Sequence, residues 1–228
     1  MTSTDPSASL EAGSPPERSP EFDTSFQQQL LDLFRWRRDV RRFRTDPLPD
    51  RLVRDLLSMA MLAPSVGLSE PWRYVLVNTP SRREAIRDIF RRCNHEALGD
   101  YVGERAKLYA SLKLAGLKEA PLHMAVYCQQ DPDQGHGLGR KTMPETLHYS
   151  VVSSIQTLWL AARAQGVGVG WVSILDPNAV GQVLDIPDDW TLIAYLCVGY
   201  PQEEHLDPEL ARHHWETRAN LDEKVFIR

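Results

Sequence analysis

The sequence predicts an α+β or α/β layered domain behind a short polar leader, on three observations. Short runs rich in β-branched and aromatic residues alternate with longer stretches of helical period, the pattern of helices layered on a sheet. Of 228 residues, 42% are hydrophobic and 25% charged, ordinary globular proportions for a chain that buries one sizeable core. Residues 1–23 hold four prolines and five serines but few large apolar groups, too little surface to offset the entropy of ordering. One domain over 24–228 follows, with a disordered leader over 1–23 that carries no chemistry.

Each element has its own signal. Thr24 and Gln27 form a T-x-x-Q capping box, and Phe26, Leu30, Leu33 and Phe34 then share one helical stripe. A second helix spans Asp50 to Leu62, with Leu52, Val53, Leu56, Leu57 and Ala60 facing inward and Pro64 stopping it. Trp72 to Val77 reads as a buried strand. Ser81 to Ala97 reads as an amphipathic helix with Ile86, Ile89, Phe90 and Cys93 in register. Gly103 to Leu117 is helical, and Leu122 to Cys128 is a second strand. The polar, glycine-rich segment Asp131 to Arg140 is a loop. Pro144 to Gln165 is a long helix, with proline near its first turn and Gly166 just past its end. Val167 to Ile174 and Thr191 to Val198 are two further strands around a short helix that starts near Pro177. The tail after Gly199 has few apolar residues before Val225 and Phe226 and lies over other structure rather than forming a core.

Charge and cysteine content narrow the function classes. A net charge of −5 and a pI near 5.8 argue against nucleic acid as the main partner, because phosphates call for a basic surface. Cys93, Cys128 and Cys197 are widely spaced and include no CxxC pair, which favours neither zinc nor a disulfide framework and fits a reducing cytoplasm. No apolar run approaches the roughly 18 residues of a membrane span. The histidines make no chelating set; His213 and His214 are adjacent, which is poor geometry for sharing one metal.

The densest motif is Arg35, Arg37, Arg38, Arg41, Arg42 and Arg44 around Asp39. Arginine matches phosphate oxygens bidentately, so a phosphate clamp is one reading. A nucleic-acid patch and a solvated basic helix end are the others, and Asp39 within the run suits charge neutralisation. The segment Ala63-Pro64-Ser65-Val66-Gly67 links a helix to Pro71-Trp72; Ser65 and Gly67 let a backbone approach a flat ligand, and an ordinary helix-terminating turn fits equally. Gly166, Gly168 and Gly170 follow a helix and precede a strand, the reverse of a dinucleotide fingerprint, so a nicotinamide site is rejected. Gly166 is a helix cap, while Gly168 and Gly170 open space beside the strand where Ser173 projects. Ser173 lacks a G-x-S-x-G elbow, so it is not a hydrolase nucleophile.

Together these blocks resemble the nitroreductase-like flavoproteins over about residues 26–228. Arg37-Arg38-Asp39-Val40-Arg41 matches the family's opening arginine segment, and Ala63 to Gly67 through Pro71-Trp72 its next block. Four features resemble the BluB family of 5,6-dimethylbenzimidazole synthases more narrowly. These are Asp39 in place of the usual serine, the stretch Ser111 to Leu117, the stretch Thr142 to Thr146, and the run from Leu158-Trp159 through Gly170-Trp171-Val172-Ser173. Glu70 departs from the family, which usually has an amide before Pro-Trp.

The resemblance implies a nitroreductase-like fold, a central mixed, mainly antiparallel sheet surrounded by helices, and a homodimer with FMN between subunits. It implies that Arg37, Arg38 and Arg41 contact the flavin phosphate and ribityl chain, and that Arg218 is the C-terminal phosphate arginine. Asp39, Val40, Ser65, Gly67, Gly170, Trp171 and Ser173 complete the implied FMN contacts. The implied reaction consumes FMNH2 as substrate, delivered by a transient flavin reductase, with molecular oxygen as co-substrate. It yields dimethylbenzimidazole, the lower ligand of cobalamin, and erythrose 4-phosphate. Asp39 is the implied general base and Ser173 the implied ring contact or proton relay. Arginines would lower the Asp39 pKa and burial would raise it; the sequence leaves that contest open. An FMN nitroreductase that keeps its flavin and a flavin binder without turnover are the competing classes.

Overall fold

The computed structural model describes residues 19–99, 102–103, 108 and 116–228. The expected leader, up to residue 18, lies outside the described residues, as do most of the 103–117 helical stretch and of the Ser111–Leu117 block.

Helix α1 spans Thr24–Trp36. Its cap is Asp23 rather than Thr24: the Asp23 carboxylate accepts from the Phe26 amide at 2.8 Å, and Gln27 reaches back to the Phe22 carbonyl. A carboxylate one position earlier satisfies the free amides and adds a favourable charge at the helix N-terminus, so the helix starts sooner than the capping box suggests. The α1 stripe forms but stays uncovered in the single chain, with Phe26 42%, Leu30 36% and Phe34 49% exposed.

Helix α2, Asp50–Ala60, buries Leu56 and Ala60, and Leu52, Val53 and Leu57 pack at the edge of the core. Strand β1, Trp72–Leu76, and helix α3, Pro80–Leu98, follow. A helical turn at Gly116–Glu119 leads into strand β2, Leu122–Gln129. Helix α4, Thr146–Ala164, begins two residues after Pro144 and ends at Gly166, which has a φ of 70°. Leu147, Val151, Ile155, Leu158 and Ala162 repeat at three and four residues, which turns one face of α4 onto the sheet. Strand β3, Gly168–Val172, helix α5, Pro177–Leu184, and strand β4, Trp190–Gly199, complete the core elements.

The four strands lie in the order β1-β2-β4-β3 and every pairing is antiparallel. The parallel component that makes the sheet mixed is a single bridge, Asp39 beside Val169 on the free edge of β3. The sheet separates two cores. One holds α2 and α4 residues with Trp72, Met124, Val126, Val169 and Leu196. The other holds Phe43, α3 and α5 residues with Ala125, Tyr127, Tyr195 and Cys197. Among the described residues, no helix is long and apolar enough to cross a membrane.

Candidate active site

The arginine segment leaves α1 and runs along the free edge of β3. The Val40 amide donates to the Val169 carbonyl at 3.0 Å, and the Trp171 amide donates to Asp39 Oδ1 at 2.8 Å. Two glycines make this approach possible. A Cβ on Gly170 would stand 2.2 Å from the Val40 carbonyl oxygen, and one on Gly168 2.7 Å from a Val40 methyl. The space that the glycines open beside β3 is therefore filled by the protein's own Val40.

Beyond Asp39 lies a cavity of about 420 Å³, within the range of small-molecule sites. Its wall is built from Arg37 to Arg42 on one side and from the 201–213 segment on the other, with Trp159 at its base. The arginines divide by partner. Arg35 pairs with Asp32, and Arg44 with Asp46, both at the surface. Arg37 and Arg38 are held by a ring face and by carbonyls. The Arg37 guanidinium lies 4.9 Å from the centre of the Trp159 ring, and Arg38 donates to the Leu206 and Arg37 carbonyls. Trp159 Nε1 donates to the Arg38 carbonyl at 3.1 Å, so one indole supports both arginines.

Burial is the largest influence on Arg37 and Arg38 in this corner. Burial lowers the Arg37 pKa from its ordinary value; Asp39 opposes that shift and Arg218 adds to it. Burial also lowers the Arg38 pKa, reinforced by Arg37 and Arg218 and opposed by Asp207. Arg37 and Arg38 line the cavity together with Glu203, Glu204, Asp207 and Glu209, and Arg218 stands within electrostatic reach of both arginines.

Asp39 has the opposite character. Burial raises its pKa above the usual carboxylate value, against the Trp171 amide and Arg41, and Glu209 raises it further. Arg41 does not neutralise it alone: Arg41 Nε is 3.5 Å from Asp39 Oδ2 and 3.3 Å from Glu209 Oε2. The Asp39 side chain is 39% exposed and lines the cavity. Burial and the facing Arg41 thus pull the Asp39 carboxyl in opposite directions, with burial the largest influence.

Arg37, Arg38, Asp39, Val40 and Arg41 thus line one cavity, with Arg218 in electrostatic reach. Gly170 and Trp171 touch Asp39 from behind. Ser65, Gly67 and Ser173 stand outside the cavity lining. Gly67, at a φ of 57°, lies back to back with the 135–138 loop, where a Cβ would meet the Leu138 carbonyl at 2.7 Å. Ser65 Oγ accepts from the Glu70 amide, and the Glu70 carboxylate accepts from Gln134 Nε2. The close approach that Gly67 allows is thus to protein. Ser173 is exposed, just past the end of β3 and two residues beyond Trp171. Sequence reasoning missed Trp159 as a support for the arginines, because its burial reads as core, and missed Glu209 and Leu206 in the tail. The acidic run Glu203, Glu204, Asp207 and Glu209, complementary to the arginine run, was the available signal.

The nitroreductase family model matches residues 34–200. A 5,6-dimethylbenzimidazole synthase of Rhodospirillum rubrum is 57% identical over 199 residues, covering 87% of this chain and 94% of that protein. The chain belongs to the nitroreductase family, within its 5,6-dimethylbenzimidazole synthase branch. A second synthase of this branch, from Rhodobacter capsulatus, is 44% identical and covers 86% of this chain and 94% of its own. Among solved structures, a BluB-like flavoprotein of Clostridium difficile 630 superposes with a TM-score of 0.65 at 20% identity, over 87% of this chain and 99% of that one. An iodotyrosine deiodinase bound to FMN and 3-iodo-L-tyrosine gives 0.68 at 23% identity, over 87% and 97%. Both structures share the nitroreductase-like fold of this member of the family.

Proposed function

We propose that this chain is a 5,6-dimethylbenzimidazole synthase that fragments FMNH2 with molecular oxygen to dimethylbenzimidazole and erythrose 4-phosphate. The observation that carries the reading is the placement of Asp39 beside Arg37, Arg38 and Arg41 on the wall of one cavity, with its Oδ1 held by the Trp171 amide. The donor set fits FMN: Arg37, Arg38 and Arg218 suit a dianionic phosphate, and Arg41 and Asp39 suit hydroxyls of the ribityl chain. When bound, reduced flavin supplies the electrons that oxygen takes and the carbons of both products.

The chain's own part is positioning and proton transfer. The Trp171 amide fixes Oδ1 of Asp39, which leaves Oδ2 to accept a proton from the ribityl side. A carboxylate made more basic by burial is the better acceptor. The Trp159 ring backs the Arg37 guanidinium, and its Nε1 anchors the Arg38 backbone carbonyl. Ser173 donates to the ring or relays a proton.

Ser65, Gly67 and Ser173 join the site through a second subunit in this reading. The uncovered α1 stripe, together with Leu62 at 81%, Leu68 at 70% and Tyr149 at 55% exposure, supplies the apolar surface for a homodimer. A transient flavin reductase delivers FMNH2, and the cytoplasm is the compartment that suits three free thiols.

The test is to give the protein excess FMNH2 in air and follow flavin absorbance and products by mass. Dimethylbenzimidazole and erythrose 4-phosphate in equal amounts are the expected outcome. Quantitative return of intact FMN would instead make the chain a reductase that recycles its flavin.

A further inference from the structure

Arg41 is one cation between two carboxylates. Its guanidinium is mostly buried, with 15% side-chain exposure, and stands marginally closer to Glu209 than to Asp39. Glu209 opens a four-residue helical turn, Glu209–Arg212, in the tail that crosses the cavity. Its other oxygen faces His213 Nε2 at 3.8 Å. Asp39 keeps a single short hydrogen bond, from the Trp171 amide.

We propose that Glu209 is a positioning residue for the site: it draws Arg41 off Asp39, so that Oδ2 of Asp39 faces the cavity without a full ion pair. The reasoning is geometric. A guanidinium that bonded Asp39 bidentately would cap the oxygen that must meet substrate. Arg41 Nε stands 3.3 Å from Glu209 Oε2 and 3.5 Å from Asp39 Oδ2, so it is shared between the two carboxylates without a short charge-assisted bond to Asp39, and Glu209 adds a second negative charge nearby. The remaining charged groups facing this trio are Arg37, which favours ionised Asp39, and His213 on the far side of Glu209. Arg42 and Arg212 line the same cavity, and Arg212 is held by Asp207.

The inference rests on the synthase reading but is tested apart from it. In ligand-free protein labelled with ¹³C at aspartate carboxyl carbons, the Asp39 resonance is assigned by its loss in Asp39→Asn and titrated in wild type, Glu209→Gln and Glu209→Asp. Glu209→Gln releases Arg41 to Asp39, and the Asp39 midpoint falls by about one pH unit, the low end of what an adjacent arginine does to an aspartate. Glu209→Asp keeps the charge and restores the midpoint most of the way. With FMNH2 present, the rising limb of the single-turnover pH profile moves to lower pH in Glu209→Gln, while FMN affinity changes little. An unmoved Asp39 midpoint in Glu209→Gln overturns the proposal, as does a loss of FMN affinity in step with turnover in both variants. If wild type returns intact FMN, the synthase reading fails, and the carboxyl titration still decides what Glu209 does.

Discussion

Trp159 and Arg38 are joined by a hydrogen bond from the indole Nε1 to the arginine's own carbonyl, 3.1 Å across a sequence separation of 121 residues. The same indole ring lies under Arg37. A core residue of α4 thereby supports both arginines at the cavity wall, and this gives the first prediction. Trp159→Phe keeps an aromatic face and most of the packing but loses the donor. A neutral hydrogen bond contributes about 0.5–1.5 kcal/mol, so FMN affinity should fall roughly two- to tenfold. Isothermal titration with FMN checks it, and unchanged affinity would separate Trp159 from the site.

Arg218→Ala should weaken FMN binding more than riboflavin binding. Arg218 is exposed yet near enough to Arg37 and Arg38 to lower both of their pKa values. A charge-assisted bond to phosphate contributes roughly 1.5–3 kcal/mol, which is about 10- to 150-fold in Kd. Parallel titrations of both flavins decide the matter, and equal losses would rule out a phosphate role.

These two positions show how far the sequence reaches. Arg37, Arg38, Asp39 and Arg41 were legible because their charge density and their likeness to a family block are local properties. The strands and the long helix were legible from period and punctuation, and α4 differs from its expected start by two residues. The glycines of β3 were legible as openings, but only the packing of Val40 against Gly168 and Gly170 shows what fills them. Glu209 was not legible. Its partner is Arg41, 168 residues away; the acidic run signals that the tail complements the arginines but not which pair meets.

Gly170→Ala should therefore damage the site without touching the cavity. The added methyl would overlap the Val40 carbonyl, and relieving a 2.2 Å contact means moving the segment that carries Arg37 to Arg41. Overpacking of this kind costs about 1–3 kcal/mol. Urea unfolding should show that loss and FMN titration a weaker Kd. A variant of wild-type stability and affinity would mean that the segment has slack.

His123 gives a pH prediction in the other core. It is 1% exposed, accepts or donates one bond with the Tyr195 hydroxyl at 3.0 Å, and burial pushes its pKa down to about 3, with Arg83 and Arg87 adding to the shift. The unfolded chain takes up a proton near 6.5, while the folded chain resists until about 3. Between those values the unfolded state binds more protons, so stability falls as pH is lowered through that window. By pH 5 the loss from this one group is about 2 kcal/mol. Comparing denaturant midpoints of wild type and His123→Gln at pH 7 and pH 5 isolates it. Equal pH dependence in both proteins would contradict the assignment.

The proposed dimer predicts that Leu30→Glu, on the α1 stripe, yields a monomer that loses most flavin affinity. Mass measurement in solution with and without FMN checks this, and association in the wild type should tolerate moderate salt, as apolar obligate interfaces do. A wild-type monomer that binds FMN with full affinity would remove the second subunit from the site.

The contact between Arg38 and Leu206 has a kinetic meaning. It closes one of the longest loops in the chain, and the entropy of that closure is met only after the sheet between its ends has formed. A contact of that sequence separation is expected to form late in folding. During synthesis, the arginine segment emerges early and waits, its wall incomplete, until the 201–218 stretch leaves the ribosome. The cavity wall is complete only when both ends of that loop are in place, so ligand binding there and completion of the fold are thermodynamically coupled.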